Sequence, residues 1–198
     1  MKTDVNKTTR QIKAELTRLR LLNSLEKLLA NNNLAELTIR DICDEAGVSV
    51  GSFYVYFQNK EEALLALHKV GNGPVDYKAL HADPLTNIQI LVENYYKHVL
   101  EQDISLVRDL YCSHLRYYDE FFIGDSFPVT KCIYEELVKI VDDATAHDLS
   151  HELIDYTRGK IYNYCISFTD QFEEWFTKTV TQTNRYIQIL LEDYNKEP

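Results

Sequence analysis

Apolar residues recur at every third or fourth position along most of the chain, which is the spacing that places them on one face of an α-helix. The first such stripe consists of five leucines: Leu21, Leu22, Leu25, Leu28 and Leu29. Asn31-Asn32-Asn33 follows this stripe, and asparagine tolerates the left-handed conformation in which many helices end. Because glycine and proline are scarce and no segment has a clear strand pattern, we predict an all-α chain of about nine helices.

The predicted helix boundaries rest on capping residues. Thr38 is a favourable N-cap for a second helix, with Asp41 at the N3 position, and Gly47 closes it. Residues 59–62 have the spacing of a capping box, so a fourth helix begins there and is interrupted at residues 71–74. Two further helices are predicted to begin at Asp83-Pro84 and at Asp103. Three more are predicted over Cys132–Ala146, Ser150–Phe172 and Glu174–Tyr194.

The segment between the second and fourth helices, residues 50–57, is ambiguous by composition. Its valine, tyrosine and phenylalanine residues favour a strand. On a helix, however, Phe53 and Phe57 point to one side and can enter a core. The opposite face is then small and smooth, and it consists of Gly51, Ser52 and Val55. We predict a helix over about 50–57, because a strand leaves the caps on both sides unexplained.

This third helix is joined to the second by the sequence AGVS, which fits a helix-turn-helix. Gly47 supplies a positive φ that a side chain would make costly, and Ser49 can cap the third helix. The small face of that helix can press into a DNA major groove. The hydroxyls of Tyr54 and Tyr56, with Lys60 at the start of the fourth helix, are placed for phosphates.

Charge is distributed unevenly along the chain. The formal net charge is −10, but residues 1–60 carry 9 Lys/Arg and 7 Asp/Glu, whereas residues 61–198 carry 12 and 24. A mildly basic N-terminal region on an acidic body suits a protein that presents its N-terminal part to nucleic acid.

The sequence has no apolar run of the roughly 18 residues needed to span a bilayer. Its N-terminus also lacks the apolar stretch of a signal peptide, so we expect a cytoplasmic protein with no membrane partner. The cysteines form no CxxC pair, and we expect them to be small buried or half-buried side chains in a protein without a cofactor: Cys43, Cys112, Cys132 and Cys165.

Residues 38–65, TIRDICDEAGVSVGSFYVYFQNKEEALL, closely resemble the DNA-binding signature of TetR-family transcriptional regulators. Arg18 and the pair Leu21-Leu22 fit the first helix of that family, whereas the rest of the chain agrees in length and helical character only. The resemblance implies a homodimer whose third helices enter the major grooves of a palindromic double-stranded DNA operator. It also implies a repressor that a small-molecule effector releases, with a DNA-binding domain at residues 1–60 and an effector-binding and dimerisation domain at residues 61–198.

Carried over onto this sequence, the resemblance assigns two sets of DNA contacts. The base-facing positions are Arg40, Val50, Gly51, Ser52 and Val55. The phosphate contacts are Thr38, Tyr54, Tyr56 and Lys60. Ser52 stands where threonine is commoner in the family, a change that keeps the hydroxyl.

Most aromatic residues lie beyond Lys60, and buried tyrosine hydroxyls need partners, so their number suggests an amphiphilic cavity. By resemblance, this cavity lies among the middle helices and binds an amphiphilic or aromatic effector. Each candidate lining residue has an alternative place in the core or the dimer interface: Tyr95, His98, Tyr111, His114, Tyr118, Phe122, Tyr134, Tyr162 and Phe168. The segment from Ser150 to Tyr194 resembles the two C-terminal helices through which family members form homodimers.

His147 and His151 have the i, i+4 spacing that can chelate zinc on a helix. They lie on opposite sides of the N-cap predicted at Ser150, and no third ligand is evident in the sequence. We therefore predict no metal site.

Two other classes of function are alternatives to the regulator. A TetR-like adaptor that acts mainly through a protein partner has the same fold and weak or no specific DNA binding. An enzyme is not expected, because the sequence has no nucleophile elbow, HExxH motif or phosphate-binding glycine loop.

Overall fold

The structure, a computed structural model, describes residues 8–71, 83–167 and 172–194. These residues form ten α-helices and no strand: α1 (Thr9–Leu29), α2 (Ile39–Ala46), α3 (Val50–Tyr54), α4 (Lys60–Gly71), α5 (Pro84–Leu100), α6 (Ile104–Arg116), α7 (Glu120–Ile123), α8 (Pro128–Leu137), α9 (Asp143–Ile166) and α10 (Phe172–Tyr194). The predicted all-α class is confirmed. The additional helix is α7, a single turn that the sequence pattern did not indicate.

Packing divides the described helices into two compact units. Unit 1 contains α1–α4 together with Arg108–Tyr118, a segment that includes most of α6. Unit 2 contains α5, the first turn of α6 and α7–α10. The predicted boundary at residue 60, between a DNA-binding domain and an effector-binding and dimerisation domain, concerns function and stays a prediction.

The core of unit 1 is built on the leucine stripe of α1, which packs against α2 and α4. Leu21, Leu22 and Leu25 are at most 1% exposed. Phe53 of α3 is fully buried, and the Phe57 ring lies 5.5 Å from it. Burying one such side chain contributes roughly 1.5–3 kcal/mol. This exceeds the roughly 0.7 kcal/mol or less by which an aromatic or β-branched residue disfavours a helix, so the segment is helical rather than extended.

Unit 2 is organised around α5, α8 and α9, which pack against one another, and α10 packs against α5 and α9. Ile88, Ile133 and Ile154 are fully buried in these helices. Tyr96 is also fully buried, and its hydroxyl lies 3.0 Å from Thr183 Oγ1. Because burial penalises the phenolate, the pKa of Tyr96 rises to about 12.

The boundary between α8 and α9 differs from the prediction. A single helix over Cys132–Ala146 is wrong, because α8 ends at Leu137. Asp142 then starts α9 by accepting hydrogen bonds at 3.1 and 3.2 Å from two backbone N–H groups of its first turn. The boundary was missed because apolar residues continue at helical spacing on both sides of Asp142 and Asp143.

The N-cap predicted at Ser150 is also wrong. Ser150 lies buried inside α9, and its hydroxyl donates to the His147 carbonyl at 2.7 Å. Serine makes such local bonds within helices as well as at their starts, so its identity alone did not settle the boundary. α9 is therefore continuous from Asp143 to Ile166.

The end of α1 differs from the prediction in its mechanism. Ala30 follows the helix in the right-handed conformation, and no non-glycine residue in the described ranges has a positive φ. The predicted left-handed asparagine is therefore wrong. The Asn32 side-chain amide instead donates to the Leu28 carbonyl at 2.8 Å, which satisfies an acceptor that the helix end leaves open.

Two sequence predictions fall partly outside the described residues. α4 reaches Gly71, and the rest of the predicted break at residues 72–74 is not among the described residues. Phe168, a predicted effector contact, also lies outside them. α10 begins at Phe172, two residues before the predicted start.

Candidate functional site

The first helix of the helix-turn-helix, α2, begins at Thr38 as predicted. The Thr38 hydroxyl accepts the Asp41 N–H at 3.2 Å, and Asp41 Oδ2 accepts the Thr38 N–H at 2.8 Å, which completes a capping box. Hydrogen bonds from the Thr38 hydroxyl and N–H lower the pKa of Asp41. Arg40 lies in the first turn and is exposed, as a base-facing residue must be.

The turn between α2 and α3 is fixed by Gly47 and Ser49. Gly47 adopts the left-handed conformation with φ of 65°, which costs a residue with a side chain about 1–2 kcal/mol. Ser49 Oγ accepts the Ser52 N–H at 3.2 Å and so caps α3. Both residues have the structural roles that the sequence predicts, and together they fix the direction in which α3 leaves α2.

α3 is shorter than predicted. It ends at Tyr54, and residues 55 and 56 continue in a turn rather than in the helix predicted to about residue 57. The Tyr56 N–H donates to the Phe53 carbonyl at 2.9 Å, which tightens the chain in this turn. Residues 50–56, the recognition segment below, are therefore one short helix and one turn.

The recognition segment presents a small surface of mixed character. Val55 is 74% exposed and Tyr54 is 57% exposed, and Gly51 beside them is exposed as well. The other predicted DNA contacts of the segment are half-buried: Val50, Ser52 and Tyr56. Because Phe53 anchors the opposite side in the core, the exposed residues face solvent on a fixed support.

A cation from α1 lies beside this segment. The Arg18 guanidinium carbon lies 5.6 Å from the centroid of the Phe57 ring, which is the separation of a cation–π contact. Phe57 is 3% exposed and follows the recognition segment directly. The contact places a positive charge next to the surface that is predicted to meet phosphates.

Lys60, a predicted phosphate contact, is used differently in this structure. Its ammonium donates to the backbone carbonyls of Leu34, Ala35 and Leu37 at 2.6, 3.3 and 2.9 Å. An ammonium has three N–H donors, so these carbonyls occupy all of them. The geometry favours a role for Lys60 in holding the loop after α1, and we leave it out of the proposed DNA contacts below.

Unit 2 contains a cavity of about 540 Å³ beside α8 and α9. Most of its lining residues have polar or charged side chains, although apolar atoms make up most of its surface: Asp125, Thr130, Lys131, Tyr134, Glu135, Asp143, Ala144, His147, Asp148, Ser150 and His151. Four carboxylates and one ammonium lie on this wall, so its charge is negative. Such a wall combines apolar surface with negative charge, and the amphiphilic or aromatic effector that the sequence suggests stays a prediction.

The predicted effector-binding residues are not gathered around this cavity. Among those that the structure describes, Tyr134 lines it. The others lie in unit 1 or elsewhere in unit 2: Tyr111, His114 and Tyr118 in unit 1, and Tyr95, His98, Phe122 and Tyr162 in unit 2. Tyr118 is 81% exposed and Tyr162 is 44% exposed, so neither is enclosed by its own unit.

Tyr95 and Phe122 belong instead to a buried cluster around Arg158, which the sequence analysis missed. Arg158 is 8% exposed, and its guanidinium carbon lies 4.0 Å from the Phe122 ring centroid and 4.7 Å from that of Phe127. It also donates to the Phe122 carbonyl. Burial raises the pKa of Tyr95, and the neighbouring Arg158 partly opposes this rise. A buried cation needs such partners, so these aromatic residues stabilise the core.

Asp125, His147 and His151 meet on the cavity wall. The two histidines lie one turn apart on α9 with ring centroids 4.7 Å apart. Asp125 Oδ1 lies 3.2 Å from His147 Nε2 and 2.8 Å from His151 Nε2. The hydrogen bond with His151 lowers the pKa of Asp125, whereas the hydrogen bond with the Asp148 carboxylate raises the pKa of His147. This third side chain was not predicted, because Asp125 is 22 residues from His147 in the sequence.

Comparison with known proteins identifies the N-terminal region. Residues 21–67, which include α2 and α3, match the family model described as bacterial regulatory proteins, tetR family. No curated protein matches the sequence significantly. None of the described helices has the length and apolar character needed to cross a membrane.

Solved structures agree over most of the chain. A TetR transcriptional regulator from Rhodococcus sp. RHA1 has 15% identity and a TM-score of 0.63, over 94% of this chain and 99% of that one. FadR from Bacillus subtilis, solved in complex with stearoyl-CoA, has 14% identity and a TM-score of 0.51, over 87% and 97%. NalD, the secondary repressor of the MexAB-OprM multidrug efflux pump in Pseudomonas aeruginosa, has 16% identity and a TM-score of 0.50, over 86% and 97%.

At these identities the likeness to solved structures shows the fold, and the family match over the helix-turn-helix adds the sequence evidence. TetR-family regulators are DNA-binding transcription factors and not enzymes. Residues 21–67 thus match the TetR family of transcriptional regulators, and the chain has the fold of the solved TetR-family regulators.

Proposed function

We propose that the chain is a dimeric, ligand-responsive repressor that binds a palindromic operator through the recognition segment and leaves it when a small ligand binds. The observation that carries the proposal is the recognition segment itself, in which buried Phe53 supports exposed Tyr54 and Val55. A small exposed face on a rigid support can approach base edges in a major groove. We propose that it acts in the cytoplasm.

The proposed contacts follow the exposure of each residue and the chemistry of its side chain. Base edges are contacted by the exposed or half-buried residues of α2 and the recognition segment: Arg40, Val50, Gly51, Ser52 and Val55. Phosphates are contacted by hydroxyl groups at its flanks: Thr38, Tyr54 and Tyr56. In a dimer, two such surfaces must meet major grooves about 34 Å apart on one face of the duplex.

Dimerisation through the two C-terminal helices, α9 and α10, is supported by their exposed apolar residues. Ile166 is 64% exposed, Tyr162 is 44% exposed and Ile189 is 42% exposed. A contiguous exposed apolar patch marks an interaction site, and we propose that these residues contribute to such a patch. Pairing these helices with a second copy of the chain would bury these residues.

The proposed ligand site is the cavity of unit 2. Because its wall carries an excess of carboxylates, we propose a ligand with positive charge or several hydrogen-bond donors. The ligand needs to bind the DNA-competent and DNA-free states unequally, and about 3 kcal/mol of coupling changes operator affinity roughly 150-fold.

The experiment that tests the proposal is selection of binding sequences from random double-stranded oligonucleotides with the purified chain. We expect a palindromic sequence to be enriched, and the affinity of the chain for it can then be measured by fluorescence anisotropy. Tyr54→Ala should weaken binding to all duplexes alike, because a phosphate contact carries no sequence information. Tyr118→Ala, which removes an exposed tyrosine outside the helix-turn-helix, is the matched control and should bind as the wild type does.

The outcomes separate the regulator from the adaptor. Light scattering should show a dimer for the wild type and both variants, so that a change in affinity reports on the DNA surface. If no sequence is enriched and the chain instead co-purifies with a stable protein partner, the adaptor replaces the regulator.

A further inference from the structure

Three side chains with metal-binding atoms converge on the cavity wall of unit 2. Their candidate ligand atoms, one each from Asp125, His147 and His151, all lie within 4.8 Å of one another. Two imidazoles and a carboxylate are a donor set typical of zinc sites that keep one position open. The set is assembled by the fold, because Asp125 precedes α8 and both histidines lie on α9.

The distances between these atoms suit a tetrahedral ion. Metal bonds of about 2.0–2.1 Å in a tetrahedron separate neighbouring ligand atoms by about 3.3 Å. Asp125 Oδ1 lies 3.2 Å from His147 Nε2 and 2.8 Å from His151 Nε2. The remaining adjustment falls on side chains at the surface, since those of Asp125 and His147 are 76% and 52% exposed.

A second carboxylate orients one of the histidines. Asp148 Oδ1 lies 3.2 Å from His147 Nδ1, on the side of the ring away from Asp125. Histidines that bind metals usually donate this second N–H to a carboxylate, which fixes the tautomer and increases the basicity of the binding nitrogen. An Nδ1–H bond to Asp148 would leave His147 Nε2 to bind the metal.

The helical turn between the two histidines and the negative charge of the cavity wall also favour a bound cation. The hydroxyl of buried Ser150 bonds to the His147 carbonyl at 2.7 Å, within the helical turn that joins the two histidines. Glu135 and Asp143 add negative charge to the wall, and Lys131 is its single lysine. A wall of this charge raises the local concentration of cations.

From this geometry we propose that Asp125, His147 and His151 bind a divalent transition metal of the zinc type, with the fourth position open to the cavity. Imidazole favours zinc over magnesium and calcium, which take oxygen ligands, so the site should discriminate against Mg²⁺. A ligand in the cavity can bind this metal through the open position. The site does not depend on DNA binding, and its test uses the chain alone.

The test is a calorimetric titration of the tag-free, full-length chain with Zn²⁺. A second measurement is the metal content of the chain after dialysis. We expect one zinc ion per chain and no binding of Mg²⁺ under the same conditions. His151→Ala and Asp125→Asn should each lower zinc affinity by at least about tenfold, and Asp148→Asn by about 10- to 100-fold. His98→Ala is the matched control, since its ring lies outside the cavity wall, and it should bind zinc as the wild type does.

Two results would overturn the proposal. One is a wild-type chain that retains no zinc after dialysis. The other is zinc bound as tightly by His151→Ala and Asp125→Asn as by the wild type, which would place the ion elsewhere. Circular dichroism checks that each variant is folded, and Asp125→Asn lies outside the helices, so at least one variant tests the site without altering a helix. A failure of operator selection would leave the zinc result unchanged, so the two proposals fail separately.

Discussion

Lys60 offers a sharp test of how the helix-turn-helix unit is held together. We predict that Lys60→Met destabilises unit 1, because the ammonium bonds to three backbone carbonyls of residues 34–37. A hydrogen bond to a charged group contributes about 1.5–3 kcal/mol to stability. Of the three carbonyls, only that of exposed Ala35 is well placed to accept a hydrogen bond from water instead. The Leu34 carbonyl keeps its hydrogen bond from the Leu37 N–H at 3.2 Å, but the carbonyl of buried Leu37 loses the lysine, so the expected loss is on the order of 2–3 kcal/mol.

Hydrogen exchange measured by mass spectrometry provides the assay, because peptides from unit 1 can be followed separately. A loss of 2–3 kcal/mol corresponds to exchange that is about 30- to 150-fold faster in the most protected peptides of α1 and α2. Lys27→Met is the matched control, since Lys27 is 72% exposed and has a single ion pair, with Glu45. Exposed pairs contribute little, so this variant should differ from the wild type by less than about 1 kcal/mol.

The same variant separates a structural lysine from a phosphate contact. Each phosphate contact adds about 0.9 to the slope of log affinity against log salt concentration. If Lys60 holds the loop, Lys60→Met keeps the wild-type slope at temperatures where it is folded. Wild-type exchange rates together with a slope reduced by about 0.9 would refute this reasoning and return Lys60 to the DNA contacts.

Three further predictions follow from single residues. Gly47→Ala should lower the free energy of unfolding by about 1–2 kcal/mol in urea titrations, because φ is 65° and the added Cβ meets no atom within 4 Å; Gly51→Ala, in a helix, should show no such loss. Tyr194→Phe should raise the pKa of Asp142 from about 2 toward 3.8, as followed by NMR, because the tyrosine hydroxyl donates to that carboxylate. The folded-state pKa is the lower one, so the ionised Asp142 stabilises the fold above about pH 4, and this contribution is lost as the pH falls toward 2; an unchanged pKa would contradict the hydrogen bond. Tyr96→Phe should cost about 1 kcal/mol in thermal unfolding, because its buried hydroxyl bonds to Thr183, and a loss near zero would show that this bond contributes nothing.

The local geometry of the helix-turn-helix could be predicted from the sequence because its determinants are close together along the chain. The Thr38 capping box, the left-handed Gly47 and the Ser49 cap each involve residues at most three positions apart. Phe53 could be assigned to the core because helical spacing pairs it with Phe57. Short-range steric and hydrogen-bonding preferences determine all of these features.

Contacts between distant residues could not be predicted in the same way. The carbonyl partners of Lys60 lie 23 to 26 residues away, and only the packed loop brings them to its ammonium. Asp125 meets His151 across 26 residues, through the packing of α8 against α9. Ser150 shows a further limit, because a serine hydroxyl can bond inside a helix as well as cap one.

The most direct test of the central claim, that the recognition segment binds operator DNA, is the affinity of Val55 variants for the selected duplex. Val55 is 74% exposed, so replacing it should leave folding intact. We predict that Val55→Glu abolishes specific binding, because its carboxylate would face the phosphates and base edges of the groove, whereas Val55→Lys, of similar length and opposite charge, keeps the non-specific attraction. A folded Val55→Glu chain that binds the duplex with wild-type affinity would contradict the claim.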